Sequence, residues 1–69
     1  MPRFDGTLIR VGTQVALRET SGAVTLMVAG ACDPNAAAAL FNGVPNGSPI
    51  SVDGDKTACQ GTLLVNSVL

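Results

Sequence analysis

AVTLMVA at 23–29, followed at once by GACDPNAAAALFNG at 30–43, is the stretch that decides the fold. In the first run Val24, Leu26 and Val28 alternate with Thr25 and Met27, the period of two that a strand imposes. Both faces are largely apolar, which gives this run the strongest case for a central strand. The second run changes rhythm. Asp33 suits an N-cap, Pro34 suits the first helical position, the alanines favour helix, and Asn42-Gly43 can close it with a left-handed residue. The pattern predicts a helix of about two turns near 34–41, with Ala37, Leu40 and Phe41 on its apolar side, stable only when docked against a sheet.

Outward from this pair, the remaining rhythm is β. TLIRV at 7–11 and TQVALR at 13–18 flank Gly12, and in the second run Val15 and Leu17 alternate with Gln14, Ala16 and Arg18. ETSG at 19–22 is a turn. NGVPNGSP at 42–49 reads as loop, and PISV, DG, DKTA reads as a tight hairpin with Asp53-Gly54 as its two-residue turn. Gly61 punctuates the chain before TLLVNSVL at 62–69, a closing strand whose Leu63/Val65 and Leu64/Val68 sets take opposite faces. The expectation is an all-β chain, mainly five to six short strands in a compact small β-barrel or β-sandwich-like unit, with one short helix. Residues 1–69 form a single domain, and no repeat long enough for a solenoid is present.

Composition narrows what such a domain can do. A chain of 69 residues buries only about 60 % of its unfolded surface, so support from a disulfide, a metal or other chains is expected. Hydrophobic residues make up 46 % and charged residues 13 % of the chain. The charged share is roughly half of what is usual, which points to apolar surface facing another chain. Net charge is -1 and the basic residues Arg3, Arg10, Arg18 and Lys56 are scattered. With Phe4 and Phe41 as the only aromatics, no stripe exists to neutralise phosphates or stack bases, and no nucleic-acid partner is expected. The longest apolar window, TSGAVTLMVAGAC at 20–32, falls short of the roughly 20 residues of a membrane helix, so no membrane role is expected. MPRFDG lacks the charged-then-apolar layout of a secretion signal, which predicts a protein that works where it is made or leaves inside a particle.

The chemistry is marked by an absence: there is no histidine. Ser-His-Asp and Cys-His arrangements cannot be built, and acid-base work near neutral pH loses its commonest agent. Asp53 and Asp55, two apart, would share one face of a strand, but the oxygen ligands and closing glutamate of a calcium loop are missing. Lys56, between Asp55 and Thr57, reads as a solvated strand edge rather than an amine nucleophile. The glycines of GVPNGSP do not form a phosphate loop. No catalytic residue, metal ligand or cofactor is expected, and the chain reads as non-enzymatic.

Cys32 and Cys59 are too few for a four-ligand zinc site and not spaced as a C-x-x-C redox motif. Three readings stay open: free buried thiols, an intrachain bridge closing a loop of about 28 residues, or bridges to a partner chain. Candidate interface positions are Val24, Leu26, Met27, Val28, Leu40, Phe41, Leu64 and Val68.

The layout from SGAVTLMVAGACDPNAAAAL at 21–40 through SPISVDGDKTACQGTLLVN at 48–66 resembles the small capsid decoration, or cement, proteins of tailed bacteriophages. In those, Gly/Ala/Val-rich strands and a short helical insert lead to a G-x-L-L-x segment, here Gly61 to Val65. The resemblance implies a virion structural protein, assembled in the host cytoplasm, that clamps the head lattice. Its partners would be the major capsid protein or neighbouring decoration subunits. GDKTACQGTLL at 54–64 is also similar to the closing motif of PAAR-repeat proteins, the tips of phage tail and secretion-system spikes, with Cys59 at the position of their metal-binding cysteine. Without histidines, the metal of those tips is not implied here. A small binding module from a mobile element is the third expectation.

Overall fold

The computed structural model describes residues 2–69. The element order is β1 (Arg3–Val11), β2 (Gln14–Glu19), β3 (Val24–Val28), α1 (Pro34–Leu40), β4 (Pro49–Asp55) and β5 (Leu63–Val68). The five strands form a closed barrel in the order β1-β2-β3-β5-β4, with β4 returning to β1. All pairings are antiparallel except β3 with β5. The five strands thus close a small barrel, with the helix inserted between the third and fourth strands.

Each element has a local cause. β1 and β2 meet in register from Gly6 opposite Glu19 to Val11 opposite Gln14, joined by a turn at Gly12. After β3 the chain reverses within three residues. The N–H and C=O of Ala29 bond to the C=O and N–H of Asp33, and Gly30 and Cys32 take left-handed φ of 63° and 59°. Asp33 then caps α1, its carboxylate accepting from the Asn35 N–H at 2.9 Å, with Pro34 in the first turn.

The barrel interior is filled by Leu8, Val15, Leu17, Met27, Val52, Leu63 and Val65, closed at one end by Ala37 and Phe41 of the helical segment. Phe41 is the largest fully buried side chain. Met27, Val28 and Phe41 are therefore core residues, not interface residues as their apolarity alone suggested. Met27 and Phe41 point into the interior, where apolar burial is worth most. Val28, with Ala16 and Cys59, is buried outside the main interior cluster.

Asp53-Gly54 is not a hairpin turn. β4 runs through both residues, pairing with β5 on one side and β1 on the other, with a bulge between Asp53 and Gly54. A Cβ on Gly54 would collide with the Leu64 carbonyl oxygen, and one on Gly6 with that of Arg18. These two glycines let neighbouring backbones approach where the barrel bends, so the signal read as a turn is instead one of strand crossing.

Candidate functional site

Strand alternation sorts the outer surface. In β1, β2 and β3 the registered partners Thr7, Arg18 and Val24 form one outward row, and Ile9, Ala16 and Leu26 form the next. Val28 and Leu64 are paired across the β3-β5 seam on the same side. Ala16 and Val28 are buried on this side, and its open part consists of Thr7, Ile9, Val24, Leu26 and Leu64, with Arg18 as its cation among the described residues.

A second apolar area adjoins this face at Thr7. An open groove is lined by Val44, Pro49, Ile50, Val68 and Leu69, with Asp5, Thr7 and Ser51 along its polar side. Val68 and Leu69 are 42 % and 64 % exposed. Of the interface positions expected from sequence, Val24, Leu40 and Val68 are exposed, while Leu26 and Leu64 are half-buried. Val11 and Leu69 are also exposed, and sequence reading passed over both. Each ends an apolar run, where alternation no longer tells core from surface.

Cys32 and Cys59 form an intrachain disulfide, with their Cα atoms 5.8 Å apart. Cys32 is exposed at the tip of the β3-α1 reversal, whereas Cys59 is 5 % exposed in the β4-β5 connection. The bond consumes both sulfurs, so Cys59 has no thiolate to offer a metal in this state. Among the described residues no group of three or more His, Cys, Asp or Glu side chains could hold a metal ion.

The carboxylates are held locally. Asp55 accepts from the Thr57 N–H at 2.7 Å and the Thr57 hydroxyl at 2.6 Å, which keep its carboxyl below the usual carboxylate range. Asp5 is lowered first by the Ser51 hydroxyl and then by the Arg3 guanidinium, whose Nε lies 2.9 Å away. One oxygen of Asp53 is buried without a hydrogen-bond partner. The bulge between Asp53 and Gly54 breaks the simple alternation that would have set Asp53 and Asp55 side by side. Lys56 lies just past β4 and is not a freely solvated strand edge: its Nζ donates to Glu19 at 2.7 Å and stands 5.0 Å from the Phe4 ring centre.

Arg10 is a structural residue that the sequence did not single out. Its guanidinium donates to the carbonyls of Phe41 and Val44 at 2.7 and 2.6 Å, and its backbone N–H donates to Asn46 Oδ1. It ties the end of the helical segment to β1. A lone arginine in a strand carries no signal of a partner more than thirty residues away.

The fold and surface thus define a small disulfide-closed barrel whose exposed features are apolar faces rather than a polar cleft. No protein-family model matches the chain, no curated protein matches it in sequence, and no solved structure matches it at a significant level. No helix among the described residues is long and apolar enough to cross a membrane.

Proposed function

We propose that this chain is a non-enzymatic structural subunit of a phage or phage-like particle, a decoration or linking protein that stabilises the shell through apolar contacts. The observation that carries the reading is the groove of Val44, Pro49, Ile50, Val68 and Leu69, open to solvent on a chain with few charges. The resemblance of the sequence layout to capsid cement proteins supports the particle, and the closed barrel supports a role as a clamp. The test is the copy number in purified particles, by quantitative mass spectrometry, for the wild type and for a Val68→Asp, Leu69→Asp variant. Hundreds of copies, reduced by the variant, support decoration. One or a few copies support the spike-tip alternative, and absence from particles rejects both.

A small binding module is a second reading, favoured by the small five-stranded barrel. In OB-fold barrels of that strand number the β2-β3 face and adjacent loops take oligonucleotides or oligosaccharides, but fold alone does not assign a ligand. Here the outward side chains of that face that reach solvent are Gln14, Arg18, Val24 and Leu26, whereas Ala16 and Val28 are buried. One cation and no aromatic on this face favour an apolar protein partner over nucleic acid. Recovery from soluble cytosol with no particle present would favour this reading.

A further inference from the structure

The barrel's five pairings are unequal. β1-β2 is registered from Gly6/Glu19 to Val11/Gln14, and β1-β4 from Arg3/Asp53 to Thr7/Pro49. The β3-β5 seam consists of Met27 with Leu63 and Val28 with Leu64. It is also the parallel pairing, the slightly less stable kind per residue. The disulfide links the two segments that flank this seam. Cys32 is four residues beyond Val28 and Cys59 is four residues before Leu63, so the bond joins the segment that leaves β3 to the segment that enters β5.

The two sulfurs differ in setting. Cys32 is exposed and takes a φ of 59°, a left-handed backbone that a side-chain-bearing residue adopts rarely. Cys59 is buried, and the connection from Lys56 to Thr62 offers few apolar side chains to hold it on the barrel without the bond. The Lys56-Glu19 pair holds its first end, and Thr62 bonds back to the Cys59 carbonyl at its last.

We propose that the Cys32-Cys59 bridge is a redox latch on the β3-β5 seam: its reduction frees the 56–62 connection and loosens the seam while the β1-β2-β4 body stays folded. The reductant is a dithiol. Its thiolate attacks the exposed Cys32 sulfur, the S–S bond breaks, and Cys59 leaves as a thiolate that takes up a proton. The second thiol of the reductant, deprotonated in turn, displaces Cys32 and closes the reductant's own disulfide. The protein gains two electrons and two protons. The oxidised state is the closed barrel, and the reduced state uncovers Cys59, Val28 and neighbouring apolar surface at the seam. This proposal does not depend on the identity of any partner.

The test is amide hydrogen exchange on the full chain, oxidised and after dithiothreitol, with a Cys32→Ser, Cys59→Ser variant as the permanently open form. Protection at Met27, Val28, Leu63 and Leu64 is expected to fall roughly tenfold or more beyond the fall at Leu8, Leu17 and Val52, a local opening in addition to whatever the whole fold loses. Equal loss of protection throughout the chain, in the reduced wild type or in the variant, makes the bridge a staple of the whole fold and overturns the latch. Unchanged protection overturns it as well. With limiting glutathione and an acid quench, which trap the first mixed disulfide before a second thiol resolves it, peptide mass analysis is expected to find the adduct on Cys32, and an adduct on Cys59 overturns the order of attack.

Discussion

Two long connections leave the same barrel and are fastened to it by different means. The β3-β4 connection carries α1 and Phe41, and its side chains enter the core. Backbone bonds between Leu8 and both Gly47 and Ser48, together with the Arg10 guanidinium, hold its return leg against β1. The β4-β5 connection, KTACQGT at 56–62, sends nothing into the main interior cluster and is fastened by one ion pair and one covalent bond. Where a segment has large apolar side chains to bury, packing suffices. Where it has none, a covalent bond supplies the anchor, and here that bond runs to the other connection.

The comparison breaks most readily at Phe41. Phe41→Ala leaves a cavity where the helical segment closes the barrel, and should cost about 3–5 kcal/mol in urea unfolding. The loss should be present with or without reductant, since the anchor is packing. Removing the bridge in the Cys32→Ser, Cys59→Ser variant should cost about 3 kcal/mol, the loop-closure entropy returned to the unfolded chain. That difference should vanish when the wild type is itself measured under reducing conditions. If Phe41→Ala costs less than loss of the bridge, the packed connection is the weaker of the two and the comparison fails.

A finer test separates packing from hydrogen bonding within the first connection. Arg10→Met keeps an apolar stem but removes the donors to the Phe41 and Val44 carbonyls. A loss of about 1 kcal/mol is expected, because water replaces part of what is removed at so exposed a site. Thermal unfolding of the variant measures it, and no change at all would leave core packing and the Leu8 backbone bonds as the fastening.

The sequence made the packed connection legible and the bridged one obscure. Asp33, Pro34, the alanines and Asn42-Gly43 act within a few residues of one another, so their meaning is local and α1 falls where they place it. The alternation that marks β2 and β3 is local too. Asp53-Gly54 misleads because a glycine needed for close approach to Leu64 has the same letters as a glycine needed for a turn. In β3 both faces are apolar, so alternation could not say that Met27 points inward while Val24 and Leu26 stay at the surface. The pairing of Cys32 with Cys59 depends on β3 and β5 lying side by side in parallel, and nothing near either cysteine encodes that alignment.

The smallest expected effect concerns acid, and it tests whether local hydrogen bonds add anything to the bridged connection. Asp55 begins that connection, and the Thr57 hydroxyl and N–H both favour its ionised form. Its folded pKa lies below the unfolded value of about 3.9, so the unfolded chain binds the proton first as pH falls. The contribution is therefore complete above that value and is lost as pH drops through the folded one. Asp5 at the β1-β4 rim, lowered by Ser51 and Arg3, has the same sign. Asp55→Asn keeps an oxygen to accept from Thr57 but removes the titration. Its stability should equal the wild type's in strong acid more nearly than at pH 7, and the difference between the two curves should close below about pH 4. Both carboxylates are exposed, so the effect should be small and weaken further in salt. Parallel curves for the two proteins across this range would show that the Asp55 hydrogen bonds add nothing to the Lys56-Glu19 pair and the disulfide.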